Sequence, residues 1–338
     1  VTPDHPQRNA APRGPVAVTG GTGFVGSHLV ECLLARGYTD VRCLVRRDAR
    51  WLEGLDVTLV TGDMNDEEAL RTLVGGAEQV FHVAAMTRAR SWEAFHRANV
   101  EGTENLLRAA ENAGTNIRKI VLTSSLAAVG RSSSAMPDET VPLHPVSMYG
   151  RSKMEMERVA HTFMDRLPIT VVRPPAVYGP RETDIFSFIQ TLEHGICPII
   201  GRGHEPALSL VHVTDLVTGM VGAAESDAST GKTWFMGSDE AYSWYQIRDA
   251  VREALGRRVI TVHVPRAVVP LVGALSEWTG RILGRYPPLN REKAAEIIHA
   301  ATMCTSENAK RVLGFRPQIA LADGMRQTIE WYREAGWL

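Results

Sequence analysis

Two groups of residues in this chain have the types and spacing to do chemistry together. The first is Val16-Ala17-Val18-Thr19-Gly20-Gly21-Thr22-Gly23-Phe24-Val25-Gly26, and the second is Tyr149-Gly150-Arg151-Ser152-Lys153. Gly20, Gly21, Gly23 and Gly26 satisfy both G-x-x-G-x-x-G and G-x-G-x-x-G. Such a turn needs positive φ, and it needs a backbone that approaches a pyrophosphate with no Cβ in the way. The helix opening at Phe24 and Val25 then turns its first amides toward the anion. A lone match is weak, but this one follows an apolar strand and precedes a helical pattern with Val25, Leu29 and Leu33 inward.

Tyr149 and Lys153 are spaced i, i+4, so a helix puts both on one face. A free phenol has a pKa of about 10 and is a poor base at neutral pH. A nearby ammonium favours the phenolate and should lower that value. A hydroxyl is then needed to hold a carbonyl or alcohol oxygen in line. Thr123-Ser124-Ser125 closes the fifth apolar run, at the strand end where ligands bind in open parallel sheets. The two groups therefore describe a site that holds a dinucleotide and moves a proton beside it.

The residue about 20 positions past the glycines decides which dinucleotide. Here it is Arg46, followed by Arg47. A cation suits a 2′-phosphate, which favours NADP(H) over NAD(H); Asp48 as a ribose partner is the other option. Asp63, after the third strand, is placed to accept from the adenine amino group with Met64 flanking the ring. It is equally a residue type that caps the helix expected from 65.

Apolar, β-branched runs at 16–19, 41–45, 57–61, 79–84, 119–123 and 169–173 alternate with helical patterns at about 25–36, 65–74, 91–113 and 147–166. That alternation predicts an α/β fold: a doubly wound parallel sheet joined by right-handed crossovers, followed by a smaller C-terminal α+β domain that takes the substrate. The expected organisation is a mobile tail over 1–14, a dinucleotide domain over 15–175 and a substrate domain over 176–338. Segments at about 208–225 should return to the first domain, with Leu210-Val211-His212-Val213 as a strand of its sheet or its edge.

The 338 residues are 44% hydrophobic and 22% charged with a net charge of -1, which gives no basic excess for nucleic acid. Cys32, Cys43, Cys197 and Cys304 lack metal-type spacing and fit a reducing compartment, so the expectation is a cytoplasmic protein with no metal. No uncharged stretch reaches the ~20 apolar residues of a transmembrane helix. The nearest, 267–276, is cut by Pro270 and reads as a packed helix of the second domain.

Taken together, the residues resemble the short-chain dehydrogenase/reductase superfamily of the extended type (the NAD-dependent epimerase/dehydratase group, with a Rossmann fold). The resemblance covers most of the chain: the glycine turn, Gly62-Asp63, Val80-Phe81-His82-Val83-Ala84-Ala85, Asn99-Val100-Glu101-Gly102-Thr103, Thr123-Ser124-Ser125, Tyr149-x-x-x-Lys153, Arg173-Pro174-x-x-x-Tyr178-Gly179-Pro180 and His212-Val213-x-Asp215. It implies Ser125 as the hydroxyl that orients substrate, Tyr149 as acid/base and Lys153 as ribose clamp. It implies Thr123, Ala84, Ala85, Pro174 and Val177 around the cofactor, with Asn99 as a brace. Met86, Ala176 and Tyr178 would face the substrate. Under the same resemblance His82 and His28 are packing residues, His212 and Asp215 a junction, and the chain a homodimer through helices near 97–113 and 147–166.

Within that superfamily, nucleotide-sugar enzymes usually carry Asn where this chain has Ala176 and an Arg after the G-x-G at Gly201-Arg202-Gly203, where Ala207-Leu208-Ser209 stands instead. Arg181 or Arg202 could substitute. A dehydratase's acidic residue after the serine is replaced by Leu126-Ala127. The remainder is similar to the 3β-hydroxysteroid dehydrogenase/dihydroflavonol reductase branch. The expected function is hydride transfer between a nicotinamide and a small, mostly apolar secondary alcohol or ketone. A nucleotide-sugar 4-epimerase with retained NAD is the alternative, and a non-catalytic dinucleotide sensor the third.

Overall fold

Short runs such as Val16-Ala17-Val18-Thr19 and Lys119-Ile120-Val121-Leu122-Thr123 are buried along their whole length, as strands covered on both faces must be. A computed structural model describes residues 13–114, 116–204, 207–238, 240–282 and 290–338. The first half runs β1 (Val16–Thr19), α1 (Phe24–Ala35), β2 (Val41–Val45), β3 (Thr58–Thr61), α2 (Glu67–Val74), β4 (Gln79–His82), α3 (Trp92–Phe95), α4 (Gly102–Asn112), β5 (Lys119–Thr123), α5 (Met148–Phe163) and β6 (Ile169–Arg173). The second half runs β7 (Ala176–Tyr178), α6 (Asp184–Glu193), β8 (Ile196–Ile200), β9 (Leu208–His212), α7 (Val213–Glu225), β10 (Thr233–Phe235), β11 (Ala241–Tyr242), α8 (Trp244–Leu255), β12 (Ile260–Val264), α9 (Val269–Ile282), α10 (Arg291–His299), α11 (Glu307–Leu313) and α12 (Leu321–Glu334).

Seven parallel strands form the main sheet in the order β10-β6-β5-β4-β1-β2-β3. The chain reverses direction of travel between β1 and β4, which opens a crevice at their carboxyl ends. One apolar layer packs α1, α7 and α11 on one face, through Leu29, Leu33, Leu216, Met220 and Phe315. The other packs α2, α4 and α5 through Leu70, Leu73, Leu106, Leu107 and Phe163. A third cluster joins Tyr178, Ile189, Val251, Met325 and Tyr332 in the C-terminal part.

Three expectations are corrected. The helix expected over 91–113 runs unbroken but is not α-helical throughout: His96–Glu101, between α3 and α4, is π-helical. The strand expected near 210–213 does not return to the main sheet. It is β9, which pairs with β7 and β11 in a separate three-stranded sheet, while α7 behind it does lie against α1. The seventh main-sheet strand is β10, only Thr233-Trp234-Phe235, too short to stand out as an apolar run. Third, α9 is not a fully packed helix. Gly273 seats it on α10, where an added Cβ would lie 2.8 Å from the Asn290 carbonyl oxygen, but Leu271, Leu275 and Trp278 are exposed. No helix among the described residues is long and apolar enough to cross a membrane. The expected tail falls mainly on residues 1–12, outside the described residues.

Candidate active site

The crevice is built first by the glycine turn. Gly20 sits at φ +76°, a left-handed conformation, and a Cβ there would meet the Ala84 amide nitrogen at 2.5 Å. A Cβ on Gly26 would lie 2.0 Å from the Gly20 carbonyl oxygen. The turn and α1 can therefore approach β4 only as glycine. Gly26→Ala is expected to push the turn off its strand and to abolish saturable dinucleotide binding while the protein stays folded, measured by fluorescence titration and circular dichroism.

Beyond β2, Arg46, Arg47 and Asp48 are all exposed at the sheet's carboxyl edge. Asp63 is exposed after β3 and accepts from the Asn65 amide at 2.7 Å. The helix cap that Asp63 could have supplied is provided instead by Asp66, which accepts from Ala69 N at 3.0 Å. Met64 is held by α4, its Cβ against Gly102 and its carbonyl accepting from Asn105 Nδ2 at 3.0 Å.

After β4, Ala84 and Met86 are half-buried and Ala85 is exposed. Asn99 clamps this loop. Its Oδ1 accepts from Met86 N at 2.7 Å, and its Nδ2 donates to Met86 O at 2.9 Å and to Ser152 Oγ at 2.8 Å. The π-helical segment aims Asn99 at both partners, a common use of such a segment at functional sites. Beneath it, His82 lies between Thr19 Oγ1 (2.7 Å) and Thr103 Oγ1 (2.8 Å), and Thr103 donates to Asn99 O. Burial, and secondarily Lys153, pushes the His82 imidazole down to about 3. It is a neutral strut and no base.

Ser125, Tyr149 and Lys153 converge at the end of β5. Ser125 follows the strand in extended conformation, and its Oγ accepts from Ala127 N at 3.1 Å. The helix carrying the other two starts at Ser147, whose hydroxyl caps the Gly150 amide at 3.0 Å. The half-buried Tyr149 ring leans on Phe95 with centroids 6.3 Å apart. Its phenol is pushed up to about 12, mainly by desolvation, with a hydrogen bond to Ser125 pulling down and Glu296 pushing up. The lowering expected from Lys153 is not found: behind desolvation, the groups that act on the phenol are Ser125 and Glu296. Dry surroundings disfavour the phenolate, and the lysine is itself weakened.

Lys153 is 2% exposed, and its Nζ donates to Thr123 O at 2.7 Å. Burial drives its ammonium down to about 8, against the pull of Glu157. Between about pH 8 and its ordinary value of 10.5, the unfolded chain holds a proton that the folded protein has released. Stability from this group therefore rises with pH across that window, and its burial penalty is fully present below it. Lys153→Met should flatten that slope in urea denaturation curves and raise stability at pH 7.

Behind the site, Glu157 and Arg173 form a buried fork, Nε to Oε1 at 2.9 Å and Nη2 to Oε2 at 2.6 Å, with the Ser124 hydroxyl also donating to Glu157. Pro174 is buried, Val177 half-buried and Ala176 exposed. Tyr178, expected to face substrate, is instead 2% exposed, its ring packed edge-on to His212 and its hydroxyl against Gly324. It belongs to the C-terminal core. Asp215 accepts from Gln318 N and Ile319 N, both at 3.0 Å, tying α7 to the approach of α12. His28 meets Pro180 O at 3.0 Å. Arg181, a candidate anion ligand, is committed elsewhere: it donates to Ser27 Oγ (2.9 Å) and Glu31 Oε1 (2.6 Å) and lies over Trp51. Arg202 is exposed.

Residues 16–242 match the family described as NAD dependent epimerase/dehydratase. The chain belongs to this family. A ceramide reductase of Caulobacter vibrioides (strain NA1000 / CB15N) is 32% identical over 329 residues, covering 96% of each chain. A 3-beta-hydroxysteroid dehydrogenase of Mycolicibacterium neoaurum is 27% identical over 95% of this chain and 92% of its own. The solved structure of MoeE5 in complex with UDP-glucuronic acid and NAD superposes with a TM-score of 0.74 at 26% identity, covering 95% of this chain and all of that one.

The protein is an enzyme of the extended short-chain type that uses a nicotinamide dinucleotide. The residues present fit that group. The glycine cradle has no room for a Cβ at Gly20 or Gly26, and Thr123 Oγ1 is buried at the crevice with no partner. The sequence reading missed the π-helical segment and the part played by α10. From α10, Glu296 accepts from the Ser147 hydroxyl at 2.6 Å and Glu292 from the Met148 amide at 2.7 Å. Only a tertiary fold reveals that partnership across about 150 residues.

Proposed function

We propose that this enzyme reduces a mostly apolar ketone to a secondary alcohol with NADP(H), and runs the reverse reaction at higher pH. Ser125 holds the substrate oxygen. Tyr149 gives that oxygen its proton. Lys153, and the Thr123 carbonyl and hydroxyl beside it, would hold the nicotinamide ribose. The dinucleotide, when bound, supplies the hydride for the carbonyl carbon. Gly20, Gly23, Phe24, Val25 and Gly26 would take the pyrophosphate, and Ala84, Ala85, Pro174 and Val177 the nicotinamide side.

The reading is carried by Ser125, Tyr149 and Lys153 at the end of β5, beside a glycine turn that admits no Cβ at Gly20 or Gly26. Burial keeps the Tyr149 proton in place at neutral pH, as a proton donor requires. A second observation favours an apolar substrate over a nucleotide sugar. Arg181 is spent on Glu31 and Ser27, and Ala176 stands where an amide would meet a sugar nucleotide. The exposed Leu271, Leu275 and Trp278 on α9, next to α10, add to it. The name of one relative, ceramide reductase, points to a lipid and to reduction, which supports an apolar substrate. The test is net oxidation of NADPH by long-chain ketones, against epimerisation of UDP-sugars with NAD retained. The second outcome would replace this reading with the epimerase.

Arg46 is the proposed ligand of the 2′-phosphate. A charge-assisted hydrogen bond contributes about 1.5–3 kcal/mol. Arg46→Ala should therefore weaken NADPH binding by about tenfold or more and leave NADH unchanged, read by fluorescence titration. Equal losses for both would reassign the site to NAD. The domain boundary near 175 and a homodimer through α4 and α5 remain parts of this proposal, the latter checked by sedimentation.

A further inference from the structure

We propose that α10 is a positioning element of the reaction: Glu292 and Glu296 clamp the first turn of the catalytic helix and so fix where Tyr149 stands. This deepens the reading of Tyr149 as proton donor and rests on it.

The geometry is specific. The first turn of any helix presents amides without partners inside the helix, and negative charge beside them is favourable. In α5 that turn also carries Tyr149. Ser147 caps Gly150 with its oxygen, and its hydroxyl donates a hydrogen bond to Glu296 at 2.6 Å; Met148 N, one residue further on, donates to Glu292 at 2.7 Å. The two carboxylates are one turn apart on α10, so a single rigid helix holds both points. Gly273 lets α9 press against the back of α10, and Asn290 caps its start by accepting from Lys293 N at 3.0 Å.

The charged and titratable groups near the phenol can be taken element by element. Lys153 lies on its own helix, Ser125 at the end of β5, and Glu292, Lys293 and Glu296 on α10; α9 adds Glu277, which faces Glu292, and α3 offers only the Phe95 ring. Lys293 Nζ sits 3.2 Å from Glu296 Oε2 and partly offsets it. Glu296 is the acidic group that acts on the phenol, and it opposes phenolate formation. Burial raises the Glu292 carboxyl, with a smaller push from Glu296. A movement of α10 would therefore loosen the start of the catalytic helix, which carries Tyr149.

The test needs no substrate. Uniform 3-fluorotyrosine makes the phenols more acidic, so they titrate while the protein is folded, and Tyr149→Phe assigns the resonance. Glu296→Gln keeps a carbonyl acceptor for Ser147 but removes the charge. It should lower the fluorine titration midpoint of Tyr149, giving about threefold more phenolate at fixed pH. Glu292→Ala should speed exchange of the Met148 amide about fivefold. An unchanged midpoint in Glu296→Gln, or unchanged Met148 exchange in Glu292→Ala, overturns the proposal. Failure to find hydride transfer would strike the functional reading instead and leave these two measurements standing.

Discussion

Tyr149→Phe is expected to lower turnover by about 10²–10⁴-fold, the range that a positioned general acid contributes. Dinucleotide affinity should be unchanged. The ring keeps its place against Phe95 because only the hydroxyl is lost, and the helix start is fixed independently through Ser147 and Met148. The loss should fall on kcat, since proton donation is felt in the transition state and little in binding. Ser125→Ala should cost less, because water can replace an orienting hydroxyl more readily than a proton donor. Steady-state kinetics with NADPH, paired with a binding titration, separates these outcomes. A variant that keeps full turnover would move the proton donor elsewhere.

Cutting the Glu157–Arg173 fork should have the largest effect on stability. Both side chains are almost entirely buried, at 2% and 6% exposure, so removing either leaves a charge without a counter-ion in a dry interior. Such losses run to about 3–5 kcal/mol. Arg173→Met should thus destabilise strongly, whereas the double replacement Glu157→Leu/Arg173→Met should recover most of the loss, as buried pairs often tolerate exchange for apolar residues. The function of the double variant is expected to suffer all the same. Lys153 would lose the carboxylate that supports its charge, and the Ser124 hydroxyl its acceptor, one residue from Ser125. Urea denaturation of the two single variants and the double gives the coupling directly. Equal damage in all three would mean that the fork's value lies in packing.

The parts legible in the sequence were those with a local physical cause. Apolar runs such as Val41–Val45 announce buried strands because both faces must be dry, and Gly20 and Gly26 announce a turn because no other residue fits. Tyr149 and Lys153 declare themselves by helical spacing. What escaped depends on partners distant in sequence. Tyr178 reads as a site residue by its neighbours in the chain, yet the fold turns it toward Gly324 in the C-terminal core. Asp63 and Asp66 are both suitable caps, and only the actual start of α2 distinguishes them. The phenol's ionisation could not be read from an i, i+4 lysine alone. It is set by desolvation, Ser125 and a carboxylate almost 150 residues away. The π-helical segment at His96–Glu101 has no compositional mark, but it is what aims Asn99.

The proposed reaction is net hydride transfer to a carbonyl carbon, with Tyr149 supplying the proton. The most direct measurement follows deuterium from C4-labelled NADPH in a mixture of long-chain ketones, with mass spectrometry of the products. The wild-type protein should form a secondary alcohol carrying the label on its carbinol carbon, and Tyr149→Phe should not. A protein that leaves the label on the dinucleotide, while interconverting UDP-sugar epimers, would contradict it.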